Sequence, residues 1–116
     1  MAQNERVICA STALVDDGPG VRFEVHGEDG PKPAFVIRHA GEARAYLNRC
    51  AHVGVQLDWQ EGQFFDPETG LLICATHGAL YDPASGACVS GPCRGGRLMP
   101  IAIEERDGRV ELKQES

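Results

Sequence analysis

Cys50-Ala51-His52 and Cys74-Ala75-Thr76-His77 each place one sulfur donor and one imidazole donor within a few residues of each other, and 21 residues separate His52 from Cys74. A soft thiolate and a borderline imidazole, presented twice, suit either a zinc ion or an iron–sulfur cluster in which two imidazoles replace two thiolates on one iron. Zinc fingers usually keep the two cysteines together, with about 2 to 4 residues between them, and the two histidines together, with about 3 to 5. Here each block is mixed. A mixed block suits a cluster with inequivalent irons, because each loop can send its cysteine to one iron and its histidine to the other. A structural zinc site is the alternative that these donors leave open. The remaining residues offer no readable nucleophile-base pair or substrate pocket, so the expectation is a metal protein and not an enzyme with a small-molecule substrate of its own.

Ligands must be held in place before the metal arrives, and loops rooted in strands do this better than free segments. The chain around both blocks reads as β. Val21-Arg22-Phe23-Glu24-Val25 alternates apolar and polar residues after the turn Asp17-Gly18-Pro19-Gly20. Residues 27–33 contain an Asp-Gly-Pro turn signal. Ala34-Phe35-Val36-Ile37-Arg38 and Glu42-Ala43-Arg44-Ala45-Tyr46-Leu47-Asn48 then read as strands joined at Ala40-Gly41, a hairpin that ends by delivering Cys50 and His52. Residues 53–65, which carry Trp59, are less regular, and a short helix or turn is expected there. Asp66-Pro67-Glu68-Thr69-Gly70 is a turn, Leu71-Leu72-Ile73 is a short buried strand ending at Cys74, and Asp82-Pro83-Ala84-Ser85-Gly86 is a second turn. Residues 91–96 form a loop. Beyond it, Leu98 to Glu104 and Arg109 to Lys113 read as strands, with Asp107-Gly108 as their hairpin turn. The architecture expected is all-β: a strand-rich base drawn from both chain ends, with the metal-bearing segment inserted between them.

The chain has 116 residues, room for one domain with a modest core and no separate catalytic domain. Its 11 Lys and Arg stand against 17 Asp and Glu, a formal charge of −6. That balance argues against nucleic acid and anionic membrane surfaces and favours a basic-faced protein partner. No basic region followed by an apolar stretch opens the chain, and no segment approaches the roughly 18 apolar residues that span a bilayer, so a soluble, cytoplasmic protein is expected. Of the five cysteines, two belong to the mixed blocks. Cys9, in the apolar run Val7-Ile8-Cys9-Ala10, is expected as a buried thiol, and Cys88 and Cys93 as reduced packing thiols. His26 and His39 are expected at the surface. Arg94 and Arg97 make a basic spot that either is solvated or contacts a docking partner.

Cys50-Ala51-His52-Val53-Gly54 and Cys74-Ala75-Thr76-His77-Gly78, with Tyr81-Asp82 and the later Ser90-Gly91-Pro92, resemble the Rieske family over roughly residues 45–100. The resemblance implies one Rieske-type 2Fe-2S cluster, with Cys50 and Cys74 on the buried iron and His52 and His77 on the iron nearer the surface. It also places Gly54, Gly78, Tyr81 and Pro92 around the cluster. The implied fold is a Rieske-type (ISP domain) β-sandwich base for residues 1–116, with a small cluster-binding subdomain at about residues 49–95. High-potential members carry a cysteine where Val55 and Thr76 stand, joined as a disulfide, and a serine donor to a bridging sulfide where Ala79 stands. Lacking that donor, the chain is expected in the lower half of the roughly −150 to +300 mV Rieske range. The function implied is that of a stand-alone ferredoxin passing single electrons between a reductase and an oxygenase or other oxidoreductase. A small Rieske subunit of a nitrite reductase-like complex, or a redox sensor using Cys88 and Cys93, are the alternatives.

Overall fold

The computed structural model describes residues 7–27, 30–49, 57, 62–74, 78–91 and 96–113. Among the described residues, ten strands make three antiparallel sheets. The first sheet joins β1 (Val7–Ala10), β10 (Arg109–Leu112) and β9 (Ile103–Arg106), in that order. The second runs β2 (Val21–Gly27), β3 (Gly30–His39), β4 (Glu42–Leu47) and β8 (Pro100–Ile101). The third is small: β5 (Leu72–Ile73), β6 (Leu80–Tyr81) and β7 (Cys88–Ser90). A short 3-10 helix at Ser11–Ala13 is the only helix among the described residues.

Two hairpins fall where the sequence places them, and for one physical reason. Ala40 and Gly41 have φ of 54° and 82°, and Asp107 and Gly108 have 54° and 75°. Two successive left-handed residues give a turn whose twist matches that of the flanking strands.

Three features depart from the sequence reading. β3 begins at Gly30, so residues 30–33, expected in a turn, pair with β2 through Pro31↔His26 and Pro33↔Glu24. Prolines are tolerated there because β4 reaches no further along β3 than Ala34↔Leu47, which leaves their other side without a ladder to complete. The single strand expected over Leu98 to Glu104 is two. The chain turns a corner at Ala102, so that β8 pairs with β4 in one sheet and β9 with β10 in the other. Third, Val7–Ala10 is a strand on β10, and Cys9 there is half-buried instead of buried, with desolvation pushing its thiol up.

β3 is central to the core because Ala34, Phe35, Val36 and Ile37 are all fully buried, so both faces of the strand are covered. Successive side chains on a strand point to opposite faces. Val36 accordingly joins Leu14, Ala45 and Val110 in a cluster with Ile101 and Ile103, between the first and second sheets. Phe35 and Ile37 join Tyr46, Leu57, Phe64, Leu72, Cys74, Ala79, Tyr81 and Leu98 on the other face. The Phe35 and Phe64 rings stack there with centroids 4.0 Å apart. The third sheet is therefore attached to the base by a shared apolar core.

Arg38 fastens the first two sheets polar-side. Its guanidinium donates to both carboxylate oxygens of Glu105 on β9, at 3.1 and 2.6 Å, and to the carbonyls of Leu14, Gly41 and Ser11. The hydrogen bonds from Arg38 hold the Glu105 carboxyl below the usual range. A depressed folded-state pKa means that this stabilisation is present above the unfolded value, about 4.3 for glutamate, and lost as pH falls through the lowered one. Glu105→Gln is expected to reduce stability at neutral pH and to flatten its decline below about pH 4.3. Urea unfolding as a function of pH tests this: an acid limb identical in the two proteins would exclude the pair as a source of acid sensitivity.

Candidate metal centre

Cys74, the first residue of the second Cys-His block, lies at the end of β5 in the β5–β6 hairpin. Leu72 pairs with Tyr81 and Ile73 with Leu80, after which Cys74 leaves the ladder. The Cys74 N–H donates to the Ala79 carbonyl at 2.9 Å, and the Gly78 N–H donates to the Cys74 carbonyl at 2.7 Å. These bonds close the loop with main-chain atoms alone. Gly78 has φ of 73° and open space where a Cβ would project, so its glycine serves backbone conformation and not close packing.

Cys74 is fully buried in the larger core cluster. Ala79 and Tyr81 are fully buried as well, and Tyr81 lies on β6. Gly91, in Ser90-Gly91-Pro92, has φ of 93°, and a Cβ there would come within 3.0 Å of the Ala79 Cα and 3.3 Å of the Gly78 carbonyl oxygen. A residue without a side chain lets the start of the proline loop cross directly over the Cys74 loop. Of the expected ligands, Cys74 alone is described. Cys50, His52 and His77 lie outside the described residues, as do Gly54 and Pro92. Among the described residues no three His, Cys, Asp or Glu side chains converge.

The first block emerges from β4 beside Asn48. That residue is 1% exposed. Its N–H donates to the Pro33 carbonyl at 2.9 Å, and its side-chain oxygen accepts the Leu57 N–H at 2.8 Å. Sequence reading passed over both Asn48 and Leu57. Their signal was a polar side chain closing a strand, two positions before a candidate ligand.

Tyr46 on β4 joins the two halves of the molecule. Its hydroxyl donates to the Pro83 carbonyl at 2.8 Å, within the turn at residues 82–86, and burial pushes the phenol up. Asp82 shapes that turn, accepting the Ala84 N–H on its side chain at 2.8 Å and the Gly86 N–H on its carbonyl at 2.7 Å. Arg97 is exposed, and its guanidinium donates to the Ser85 carbonyl at 3.3 Å. Cys88 corrects an expectation: it is disulfide-bonded, not a reduced packing thiol. Cys93 and Arg94 lie outside the described residues. His26 is exposed, as expected, whereas His39 is half-buried with its Nδ1 2.9 Å from an Asp17 carboxylate oxygen.

The donor chemistry fits an iron–sulfur centre. A buried thiol on a loop already closed by its own main chain offers a thiolate with little reorganisation, and the mixed blocks supply sulfur and nitrogen for inequivalent irons. In comparisons with known proteins, the model of the Rieske [2Fe-2S] domain matches residues 4–104. No curated protein matches. Among solved structures, the ferredoxin of carbazole 1,9a-dioxygenase from Nocardioides aromaticivorans IC177 is similar at 22% identity and a TM-score of 0.72, covering 95% of this chain and 96% of that one. The Sphingomonas yanoikuyae B1 ferredoxin is 26% identical with a TM-score of 0.67, over 95% and 97% of the two chains. A complex of reduced oxygenase and oxidized ferredoxin in carbazole 1,9a-dioxygenase matches at 23% identity and a TM-score of 0.71, over 94% and 95%. No helix among the described residues is long and apolar enough to cross a membrane. With a family model spanning most of its length and an all-β fold to match, the chain belongs to the Rieske [2Fe-2S] domain family, and its cofactor is one Rieske-type [2Fe-2S] cluster.

Proposed function

We propose that this protein is a soluble, cytoplasmic Rieske ferredoxin, an electron carrier and not itself an enzyme, that passes single electrons from a reductase to an oxygenase. The observation that carries the reading is the near end-to-end match, in both directions, between this chain and ferredoxin chains. In this reading Cys50 and Cys74 hold one iron and His52 and His77 the other, with Gly54, Gly78, Tyr81 and Pro92 around them. The whole chain is a single Rieske domain, with its cluster-binding subdomain at about residues 49–95. When bound, the cluster supplies a one-electron couple.

The chain's own residues do the rest. The hairpin stems fix the ligand loops, and the buried Ala79 brings no hydroxyl to the place where high-potential relatives carry a donor. A formal charge of −6 favours encounter with a basic face on the oxygenase. In a cytoplasm the disulfide at Cys88 would stand against a reducing thiol pool.

Protein purified without chelator is expected to be red-brown, with two irons and two acid-labile sulfides per chain. On reduction it should give a Rieske-type paramagnetic signal, with a midpoint potential in the lower half of the roughly −150 to +300 mV range. With a reductase supplying electrons, it should support turnover of an oxygenase. Zinc without labile sulfide would end the assignment, and a cluster that no oxygenase can oxidise would remove the proposed partner.

A further inference from the structure

We infer that Asn48 is the positioning residue for the first ligand loop, a part that main-chain hydrogen bonds play in the second. The inference rests on the reading of Cys50 and His52 as ligands. The two loops are rooted differently. At the second, the Cys74 and Gly78 N–H groups donate to the Ala79 and Cys74 carbonyls, so main-chain atoms tie the two ends of the loop together. At the first, the closing bond is made by a side chain: the Asn48 Oδ1 accepts the N–H of Leu57, nine positions further on, at 2.8 Å.

Both roots of the first loop are otherwise fixed. Upstream, the Leu47 N–H donates to the Met99 carbonyl and the Asn48 N–H to the Pro33 carbonyl, each at 2.9 Å. Downstream, the Leu57 side chain is fully buried among Phe35, Phe64 and Tyr81 in the larger core cluster. Asn48 therefore ties the end of β4 to the point where the chain re-enters the core. Cys50 and His52 fall between those two points in the sequence, so this bond joins the two ends of the segment that carries them. An uncharged amide is suited to this. Its carbonyl accepts strongly without carrying a charge, and at 1% exposure a carboxylate would be costly to desolvate.

The consequence is a difference in cluster retention, not only in stability. Outer residues that orient metal ligands typically alter metal affinity by about 10- to 100-fold when replaced. Asn48→Ala removes the acceptor, and Asn48→Asp keeps a carboxyl oxygen in its place. Holoprotein of each would be incubated with an iron chelator well below its unfolding temperature, and loss of visible absorbance followed. The expected result is loss about 10-fold faster in Asn48→Ala, with Asn48→Asp in between, and an altered paramagnetic signal in the alanine variant. Retention within twofold of the unsubstituted protein, even with a lowered melting temperature, would make Asn48 a purely structural residue and overturn the inference.

Amide-resolved hydrogen exchange on the unsubstituted holoprotein keeps the inference testable if Asn48→Ala does not fold. The Leu57 amide is expected to be protected, and exchange at the rate of an open chain would overturn the clamp. If the unsubstituted protein holds no iron and sulfide at all, it is the ligand assignment that fails, and protection at Leu57 would be unaffected.

Discussion

Cys74→Ala is expected to yield a folded protein with almost no iron or acid-labile sulfide, whereas Cys9→Ala keeps both in full. The two cysteines suit this comparison because they stand in different parts of the fold, Cys9 on β1 and Cys74 just beyond the end of β5. Cys74 is fully buried at the tip of the β5–β6 hairpin, and Cys9 is half-buried on β1 against β10. In the absence of cluster, the sulfur at position 74 is a small core group, and its removal costs about 0.5–1.5 kcal/mol, the range for trimming one methylene-sized group from a core. The loop itself survives, because the bonds that shape it run between the main-chain atoms of Cys74, Gly78 and Ala79. What is lost is one of two thiolates, and with it the charge that balances two ferric irons and two sulfides. Iron and sulfide assays on the two variants, with circular dichroism as the check on folding, decide the matter. Undiminished iron in Cys74→Ala would remove that residue from the ligand set. In thermal melts, Cys74→Ala as purified should lie further below the unsubstituted holoprotein than below the unsubstituted apoprotein, because a bound cluster stabilises only the folded state.

The parts of this molecule that were legible in the sequence are those that local chemistry determines. The Ala40-Gly41 and Asp107-Gly108 hairpins could be read because left-handed dipeptides between alternating runs have few other uses. The third sheet was half legible: Leu71-Leu72-Ile73 announced a strand into Cys74, and the turn at residues 82–86 was plain, but β7 at Cys88–Ser90 is too short to show a period. The corner at Ala102 was not legible at all. Leu98 to Glu104 is a continuous strand-like run, and only the presence of two sheets competing for its ends breaks it. Residues 30–33 failed for the opposite reason. Their prolines read as a turn, and only the shortness of β4 shows that one side of β3 is free to carry them. At the site, spacing marks the candidate ligands, whereas the Asn48 side chain is singled out by a contact nine positions away, which no local pattern encodes.

Gly86→Ala should be the most destabilising glycine substitution at the junction between the base and the third sheet, at about 2–5 kcal/mol. Gly86 is buried with φ of 80°, a conformation that costs an L-residue roughly 1–2 kcal/mol. Its added Cβ would lie 2.8 Å from Cε1 of Tyr46 and 3.2 Å from the Leu98 carbonyl oxygen. Neither neighbour can give way cheaply. Tyr46 is 2% exposed, with its hydroxyl committed to Pro83 at 2.8 Å. Leu98 is held through its own N–H, which donates to the Gly86 carbonyl at 2.8 Å. Overpacking of this kind adds about 1–3 kcal/mol, and the total is a large share of the 5–15 kcal/mol typical of a whole domain.

Gly41→Ala separates the two contributions. Gly41 has nearly the same φ, 82°, but nothing within 4 Å of the site a Cβ would take, so it incurs the backbone cost alone. Urea unfolding of the two variants should therefore place the Gly86→Ala midpoint clearly below that of Gly41→Ala, with similar slopes. Equal midpoints would mean that Tyr46 and Leu98 yield to the new methyl group, and that the seam tying the third sheet to the base is looser than its hydrogen bonds imply.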